Sequence, residues 1–517
     1  MGRVKSFFEI QRSQRRRGLL LLAALGLLYF VVLFGLLYGL RVVAVALGGG
    51  EWRTIKTGRH SLTIREVHWD TPRYLRESAL FALALGGGML LLQYRFARNS
   101  AVQSILDDLK ARPPEPSDRY HRRFMNLVEE MAVAGGLRPA PRPVVMPSLA
   151  LSAFAAEDRR SGAILGVTEG LLAQLNRSQV QAVVAHEMAH IRAGDAALSA
   201  FTCALLAPFA TMAEMVARLE PERPPDAPGR DGYQLSELLL ALTRLAAAAV
   251  SRNREIEADA AAVEMTRHPL ALAEALLLVS RGNPFLGGLA AAYSPIFILD
   301  PTRSTLCEGE GFTSNLLSSH PPVRKRIDAL LRMAGMSARE FDARPAWDTG
   351  PDSDDPPPAG APSAVADPEL AAALAEAFAA IAGDGTGGGE PCPRCRAPLC
   401  RVDYEGLATA QCTKCGGRLV ENAALPRILA RREARFTEET RRKAWDLVGR
   451  QILRDRRALR VQPDEGNDCP RCHQPMLRQF YNYQFPLVVD RCYGCGIAWF
   501  DSDELEMLQV LAEEGAR

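Results

Sequence analysis

Apolar runs punctuate the first half of the chain. Residues 18–40 carry no charge and are long enough to cross a bilayer as one helix. Arg15, Arg16 and Arg17 stand directly before them, and the run is longer than the apolar core of a cleaved leader. A second uncharged run, 78–94, contains Gly86-Gly87-Gly88 and is closed by Arg95 and Arg98. Two weaker runs follow at 196–216, broken by Pro208, and at 234–250, which includes Glu237 and Arg244. Between the second and third runs the pattern takes a helical period. Val180, Val183 and Val184 share a face, and Ser178 with Gln181 predicts a capping box at the helix start. The preceding stretch, 163–168, is apolar and β-prone and predicts a strand. Beyond 344 the periodicity ends. Residues 352–364 are rich in Asp, Pro, Gly and Ser and predict a disordered linker, followed by an Ala-rich helix at 368–382 and a glycine hinge at 383–389.

The helix after the strand carries His186-Glu187-Met188-Ala189-His190. Its two imidazoles lie one turn apart on one face, so both can reach a single zinc ion. Glu187 sits beside them, placed to take a proton from the attacking water. Catalytic zinc needs a third protein ligand and an open position. Glu255, near the start of a helix predicted from about Ser251, is the choice for that ligand. Asp259 is one turn further on the same side and can orient a ligating imidazole, whereas Glu257 points to the other face.

With these motifs the chain resembles the gluzincin membrane metallopeptidases that include HtpX, the CAAX prenyl proteases and OMA. The matching stretches are Leu175-Asn176-Arg177-Ser178 leading into residues 186–195, then residues 251–259. Gly166-Val167-Thr168-Glu169-Gly170-Leu171-Leu172 and Ser319-His320-Pro321-Pro322, ahead of a basic helix, match as well. The resemblance covers roughly residues 115–335. It implies that His186, His190 and Glu255 bind zinc and that Glu187 is the general acid and base. For His320 two readings stand: a residue at a helix entrance, or, by the resemblance, a histidine near the zinc that gates access or stabilises the oxyanion. The strand 163–168 could accept an extended substrate by strand addition, or serve only as core. One departure is Ser152-Ala153-Phe154-Ala155, where the family usually has Asn-Ala-Phe-Ala. Serine offers fewer hydrogen-bonding groups than an amide, so substrate binding would be retuned if that residue positions substrate backbone.

The last 130 residues hold eight cysteines in four CxxC pairs: Cys392 with Cys395, Cys412 with Cys415, Cys469 with Cys472, and Cys492 with Cys495. Both halves begin Cys-Pro-Arg-Cys-x-x-Pro, an internal duplication that resembles two TFIIB-type zinc ribbons. Each set suits tetrahedral four-thiolate zinc, which fits a reducing compartment better than disulfides do. Aligning the copies puts Cys400 opposite Leu477, which predicts a packing role, and Cys203 and Cys307 are read as cysteines without partners. The pair Trp499-Phe500 has Leu419-Val420 as its counterpart, so any surface function of the aromatics would belong to the second ribbon. Between the ribbons, residues 418–460 carry 13 Arg and Lys against six acids. Trp445, Leu447, Val448, Ile452 and Leu453 could form an apolar stripe that packs on a ribbon. Contact with nucleic acid or anionic lipid is the lesser reading, because a total charge of +2 gives it little support.

Parity ties these readings together. His186, His190 and Glu255 must share one ion, so the runs at 196–216 and 234–250 either both cross a membrane or both stay out of it. Cytosolic thiols, a basic N-terminus and two or four spans then agree on an inner-membrane protein whose catalytic and ribbon parts face the cytoplasm. The expected fold is mostly α: a multi-pass membrane metallopeptidase domain with a small edge-strand sheet, plus two small β zinc ribbons. Its expected parts are a basic N-terminus (1–17), two spans and their loop (18–98), the metallopeptidase (99–345, with a helical hairpin at 196–250), a linker (346–390), ribbon 1 (391–425), a basic helical connector (426–466) and ribbon 2 with a terminal helix (467–517). The expected function is zinc-dependent hydrolysis of membrane or misfolded proteins, with three zinc ions, one catalytic and two structural, and ribbons that recruit a partner or regulate. The alternative is a membrane-tethered scaffold in which the ribbons alone act.

Overall fold

The computed structural model describes residues 71–205, 207, 254–282, 293–299, 320–344, 390–431, 436–452, 466–481 and 487–514, an N-terminal strand pair and part of the stretch 23–43. The expected linker (apart from Glu390), most of the 196–250 hairpin, the start of the Glu255 helix, Cys307 and Ser319 lie outside the described residues. Strands β1 (Glu51–Thr57) and β2 (His60–Glu66) form an antiparallel hairpin. The second apolar run is the middle of α1 (Thr71–Asp108), a helix of 38 residues. At 1.5 Å per residue it is about 57 Å long, more than a bilayer core needs. Its two halves meet different surroundings. Leu80, Phe81, Leu83 and Leu92 are at least 60% exposed, whereas Ala97, Ala101, Val102 and Ile105 are buried in the body of the protein.

Among the described residues α1 is the one helix long and apolar enough to cross a membrane, and a shorter apolar helix, Tyr29–Leu40, lies beside it. Gly86 faces that shorter helix, and a Cβ there would make ordinary van der Waals contact with Tyr29 and Leu33 at 3.5 Å. Tyr29 also bonds Gln93, whose amide donates to the Leu205 carbonyl at 2.7 Å.

The body is built around one buried helix. Following α2 (Arg119–Gly135), strands β3 (Arg142–Met146), β4 (Ala153–Asp158) and β5 (Gly162–Thr168) form a sheet of order β3-β5-β4. Next come α3 (Glu169–Gln174) and the histidine helix α4 (Arg177–Ala193). Val180, Ala182, Val183, Val184, Ala185 and Met188 of α4 are fully buried, packed among α2, α5 (Arg254–Thr266) and α6 (Pro269–Arg281). Two further helices, α7 (Val323–Ala334) and α8 (Ala338–Asp342), close the far side.

Two sequence expectations change here. The capping box of α4 is Asn176 with Gln179, not Ser178 with Gln181. Asn176 has the extended backbone a cap requires, and its side chain accepts from the Gln179 amide at 2.9 Å, so the helix starts earlier. Strand 163–168, which could accept substrate by strand addition or serve only as core, takes the core role: it is the central strand β5, paired with β3 and β4 on its two edges. A strand buried on both faces reads as a continuous apolar run, which is the pattern of its sequence. The edges are β3, which Arg112 bridges at Val145, and β4.

The turn before β4 is gripped tightly by α3. Gly170 donates to the Ser148 carbonyl at 2.9 Å, and a Cβ on Gly170 would lie 2.2 Å from the Leu149 carbonyl oxygen. Backbone there cannot yield cheaply. Gly170→Ala is therefore expected to destabilise the domain by roughly 1–3 kcal/mol, read as a lowered thermal midpoint.

The cysteine-rich part is one sheet, not two separate ribbons. Strands β6 (Leu399–Tyr404), β7 (Leu407–Cys412) and β8 (Arg418–Glu421) join β9 (Leu477–Phe480), β10 (Val488–Cys492) and β11 (Ile497–Phe500) in the order β6-β7-β8-β11-β10-β9. The seam is β8 against β11, where Leu419 pairs with Trp499 and Val420 with Ala498. Trp499 and Phe500 are thus buried at the seam, which removes the surface role considered for them. The indole occupies space that Gly417 leaves open, 2.2 Å from where its Cβ would be. Cys400 is part-exposed and its counterpart Leu477 is 47% exposed, so that position lies on the outer face of the sheet and not in the core.

Helices α9 (Leu425–Ala430), α10 (Glu438–Ile452) and α11 (Glu504–Glu514) complete the module. Ala444 of α10 and Phe436, just before that helix, pack against Val510 and Leu511, while Trp445, expected in the packing stripe, is 43% exposed. The module is not held by a hinge alone. Helix α9 packs against α3 of the body.

Candidate metal centre and active site

Three elements bring the chemistry together. Helix α4 supplies His186, Glu187 and His190, α5 supplies Glu255 and Asp259, and α7 with the turn before it supplies His320 and Arg326. His186 Nε2 lies 3.2 Å from His190 Nε2 and 3.6 Å from Glu255 Oε2, and His190 Nε2 lies 3.5 Å from Glu255 Oε1. Donors bound at about 2.0–2.2 Å to one tetrahedral zinc stand roughly 3.3–3.6 Å apart. The donor triangle fits that ion in both chemistry and size. The two four-thiolate sets also converge: Cys392 and Cys415 Sγ are 3.6 Å apart, Cys395 and Cys412 3.4 Å, and Cys472 and Cys492 3.6 Å. Zinc–sulfur bonds of about 2.3 Å imply roughly 3.8 Å between sulfurs, so these sets fit structural zinc.

Residues 119–334 match the model of Peptidase family M48, and residues 391–431 match a TFIIB-type transcription factor zinc-finger. Proteins described as Protease HtpX homolog, from Streptococcus pneumoniae strains Hungary19A-6, R6 and TIGR4, are 33% identical over 231 residues. Those matches cover 42% of this chain and 73% of each relative. The chain belongs to peptidase family M48. No solved structure matches it.

In the M48 domain each imidazole has a carboxylate behind it and an arginine behind that. Asp259 Oδ1 stands 3.0 Å from His186 Nδ1, and Arg326 donates to both oxygens of Asp259 at 2.8 and 2.7 Å. Asp195 Oδ2 stands 3.5 Å from His190 Nδ1, and Arg254 donates to Asp195 Oδ1 at 2.5 Å. Carboxylates on Nδ1 fix the ring orientation and leave Nε2 facing the donor triangle. Asp195 reaches His190 because Gly194 ends α4 in the left-handed conformation, φ 72°, and turns the chain back.

Sequence reasoning found Asp259 but missed Asp195, Arg254 and Arg326. The first two flank motifs already in hand, one residue beyond the cap of α4 and one before Glu255. Arg326 sits in Arg324-Lys325-Arg326, which reads as a solvated basic helix, yet it is fully buried. Its Nη1 is 3.0 Å from Glu255 Oε2, so one guanidinium neutralises two carboxylates.

Electrostatics follow from burial and these partners. Burial pulls the His186 imidazole down, but Asp259 and Glu255 outweigh it and hold it at about 9 in the metal-free site. A cation bound at Nε2 has to displace that proton. Burial pushes Glu255 up, but His320 and Arg326 overcome this and keep it well below the usual carboxylate range. Glu187 is pushed up to about 7, chiefly by burial. Its Oε1 is buried and accepts no hydrogen bond among the described residues.

Glu187, His190 and Glu255 line one cleft, walled by Ala155 of β4 and by Pro295, Ile296 and Phe297. The wall segment holds the start of the β4 edge: Phe297 bridges Phe154, and the Ile298 amide donates to the Ala153 carbonyl at 3.0 Å. Ser152 precedes that edge and is buried. Its backbone amide and carbonyl both bond Thr168, and it does not line the cleft. His320 is buried with Nε2 3.9 Å from Glu255 Oε1, and Glu257 faces outward.

Proposed function

We propose that this chain is a membrane-anchored zinc endopeptidase. The observation that carries the reading is the 3.2–3.6 Å triangle of His186, His190 and Glu255 donors with the Glu187 carboxyl in the same cleft. His186, His190 and Glu255 would hold zinc, which would supply a Lewis acid to polarise the scissile carbonyl and acidify water. Glu187 takes the proton from the attacking water and passes it to the leaving nitrogen, a task suited to a carboxyl whose pKa is raised toward neutrality. His320, across Glu255, can donate from Nε2 to the oxyanion as it forms. The backbone edge of β4 beyond Phe154, which no strand covers among the described residues, suits an extended substrate chain.

Two structural zinc ions in the ribbon sheet bring the total to three. The exposed apolar half of α1 supports an anchor, with the run 18–40 as a second span and the thiolate sites on the cytoplasmic side of an inner membrane. The substrates are membrane or misfolded proteins with unfolded segments, the class that an open strand edge can take without sequence preference. The test is cleavage of an unfolded membrane protein in detergent after zinc removal and after its return. Activity lost with the metal and regained with zinc supports the reading. A zinc-reconstituted protein that cleaves nothing overturns it in favour of a tethered scaffold.

A further inference from the structure

A buried polar contact joins the ribbon module to the peptidase domain. Helix α9 reads Leu425-Pro426-Arg427-Ile428-Leu429-Ala430 and is followed by Arg431. Leu425, Ile428 and Leu429 turn into the core of the ribbon module, where Leu149 of the peptidase domain packs against the same cluster. Arg427 and Arg431, one turn apart, point the other way. Asp118 Oδ2 accepts from Arg427 Nε at 3.0 Å and Nη2 at 2.7 Å, and from Arg431 Nη2 at 2.7 Å. Arg431 also lies 3.4 Å from Glu169 Oε2, with its guanidinium 3.8 Å from the centre of the Tyr120 ring. The side chains of Arg431, Asp118 and Glu169 are 1%, 6% and 6% exposed.

Both carboxylates have structural duties inside the peptidase domain. Asp118 Oδ1 caps α2 by accepting from the Tyr120 and His121 amides at 2.8 and 3.1 Å. Glu169 opens α3 and meets His121 Nε2 at 3.2 Å. Just beyond, Gly170 grips the turn that leads into β4, the wall of the cleft. On the ribbon side the Arg431 carbonyl accepts from the buried Gln509 of α11, whose own carbonyl accepts from Tyr404 at the end of β6. Arg431 is therefore aimed by the folded ribbon sheet. A small sheet whose turns and strand ends are tied by two four-thiolate sets depends on its metal for that fold.

We propose that the ribbon module is a zinc-dependent latch on its own peptidase domain, with Asp118, Glu169 and Tyr120 as the receptor for Arg427 and Arg431. Loss of ribbon zinc withdraws both arginines, leaves two buried carboxylates without their cations, and loosens the starts of α2 and α3. The ribbons thereby report metal or thiol status to the turn before β4. Their role is regulation in cis, in place of recruitment on a free tether.

The test is hydrogen exchange on the full-length protein in detergent. Three forms are compared with wild type: Cys469→Ser/Cys472→Ser, Arg427→Glu/Arg431→Glu, and Arg431→Glu combined with Glu169→Arg. Both the cysteine and the double-arginine variants are expected to lose tenfold or more protection at residues 119–124 and 169–174, while α4 stays protected. The double-arginine variant should keep both ribbon zincs by metal analysis. Measured beside an added Arg431→Glu single variant, the charge-swapped pair should regain part of the protection that the single variant loses. Unchanged protection in the cysteine variant overturns the metal dependence, and unchanged protection in the double-arginine variant overturns the arginine receptor. General loss that includes α4, with no rescue by the swap, also overturns the latch, since it would mean unfolding instead of release.

Discussion

Glu187→Gln is expected to lower kcat/KM for an unfolded protein substrate by roughly 10³-fold while zinc content stays that of wild type. The amide is nearly isosteric, so the donor triangle, to which Glu187 does not belong, keeps its geometry. What disappears is the proton acceptor. The pH profile separates this from a binding defect. In wild type the rate should fall on the acid side as Glu187 is protonated. The carboxyl sits at about 7 in the metal-free site, and added positive charge beside it lowers that value, so the acid limb should fall below neutral pH. In the variant that limb should vanish, with KM little changed. A variant that loses activity together with zinc, or that keeps activity, would remove Glu187 from the base role. Self-cleavage in the preparation gives a second readout.

Arg326→Met is expected to cost about 3–5 kcal/mol of stability in the metal-free protein, because it leaves Glu255 and Asp259 buried without their shared cation. Bound zinc partly replaces the missing charge at Glu255. The loss in thermal midpoint should therefore be larger after zinc removal than before it. Arg326→Lys keeps the charge but not the planar fork that reaches both Asp259 oxygens, and should recover only part of the deficit. Zinc affinity is a further readout. With Asp259 released from Arg326, the His186 ring loses its fixed orientation, and binding should weaken roughly 10- to 100-fold. Equal melting of variant and wild type with and without zinc would show that the buried arginine is not the counter-charge.

The M48 membership was legible because its signals are local. His186 and His190 meet on one helical face by the 3.6-residue period alone, and Glu187 is beside them in any helix. Glu255 was readable as a second such helix with Asp259 one turn away. Four CxxC pairs announce their own geometry, since two knuckles can close on one ion without help from the rest of the chain. The capping box was misplaced by two residues because Ser178 and Asn176 offer similar side-chain acceptors, and backbone conformation decides which one caps.

What the sequence by itself determined is the inventory: a histidine helix, a carboxylate helix, two duplicated thiolate sets and an apolar helix suited to lipid. Tertiary structure alone decided which neighbours complete them. Arg326 is indistinguishable from Arg324 until packing buries one and leaves the other in water. The edge role passed from β5 to β4 because strand order depends on pairing between segments, not on the composition of either. The two ribbons became one sheet through the pairing of β8 with β11, and Arg427 and Arg431 left the solvated basic class by finding Asp118 and Glu169, which lie 262 to 313 residues earlier in the chain. Periodicity and spacing encode what a segment does within a few turns of itself. Burial of a charge is settled only when a distant partner makes it affordable.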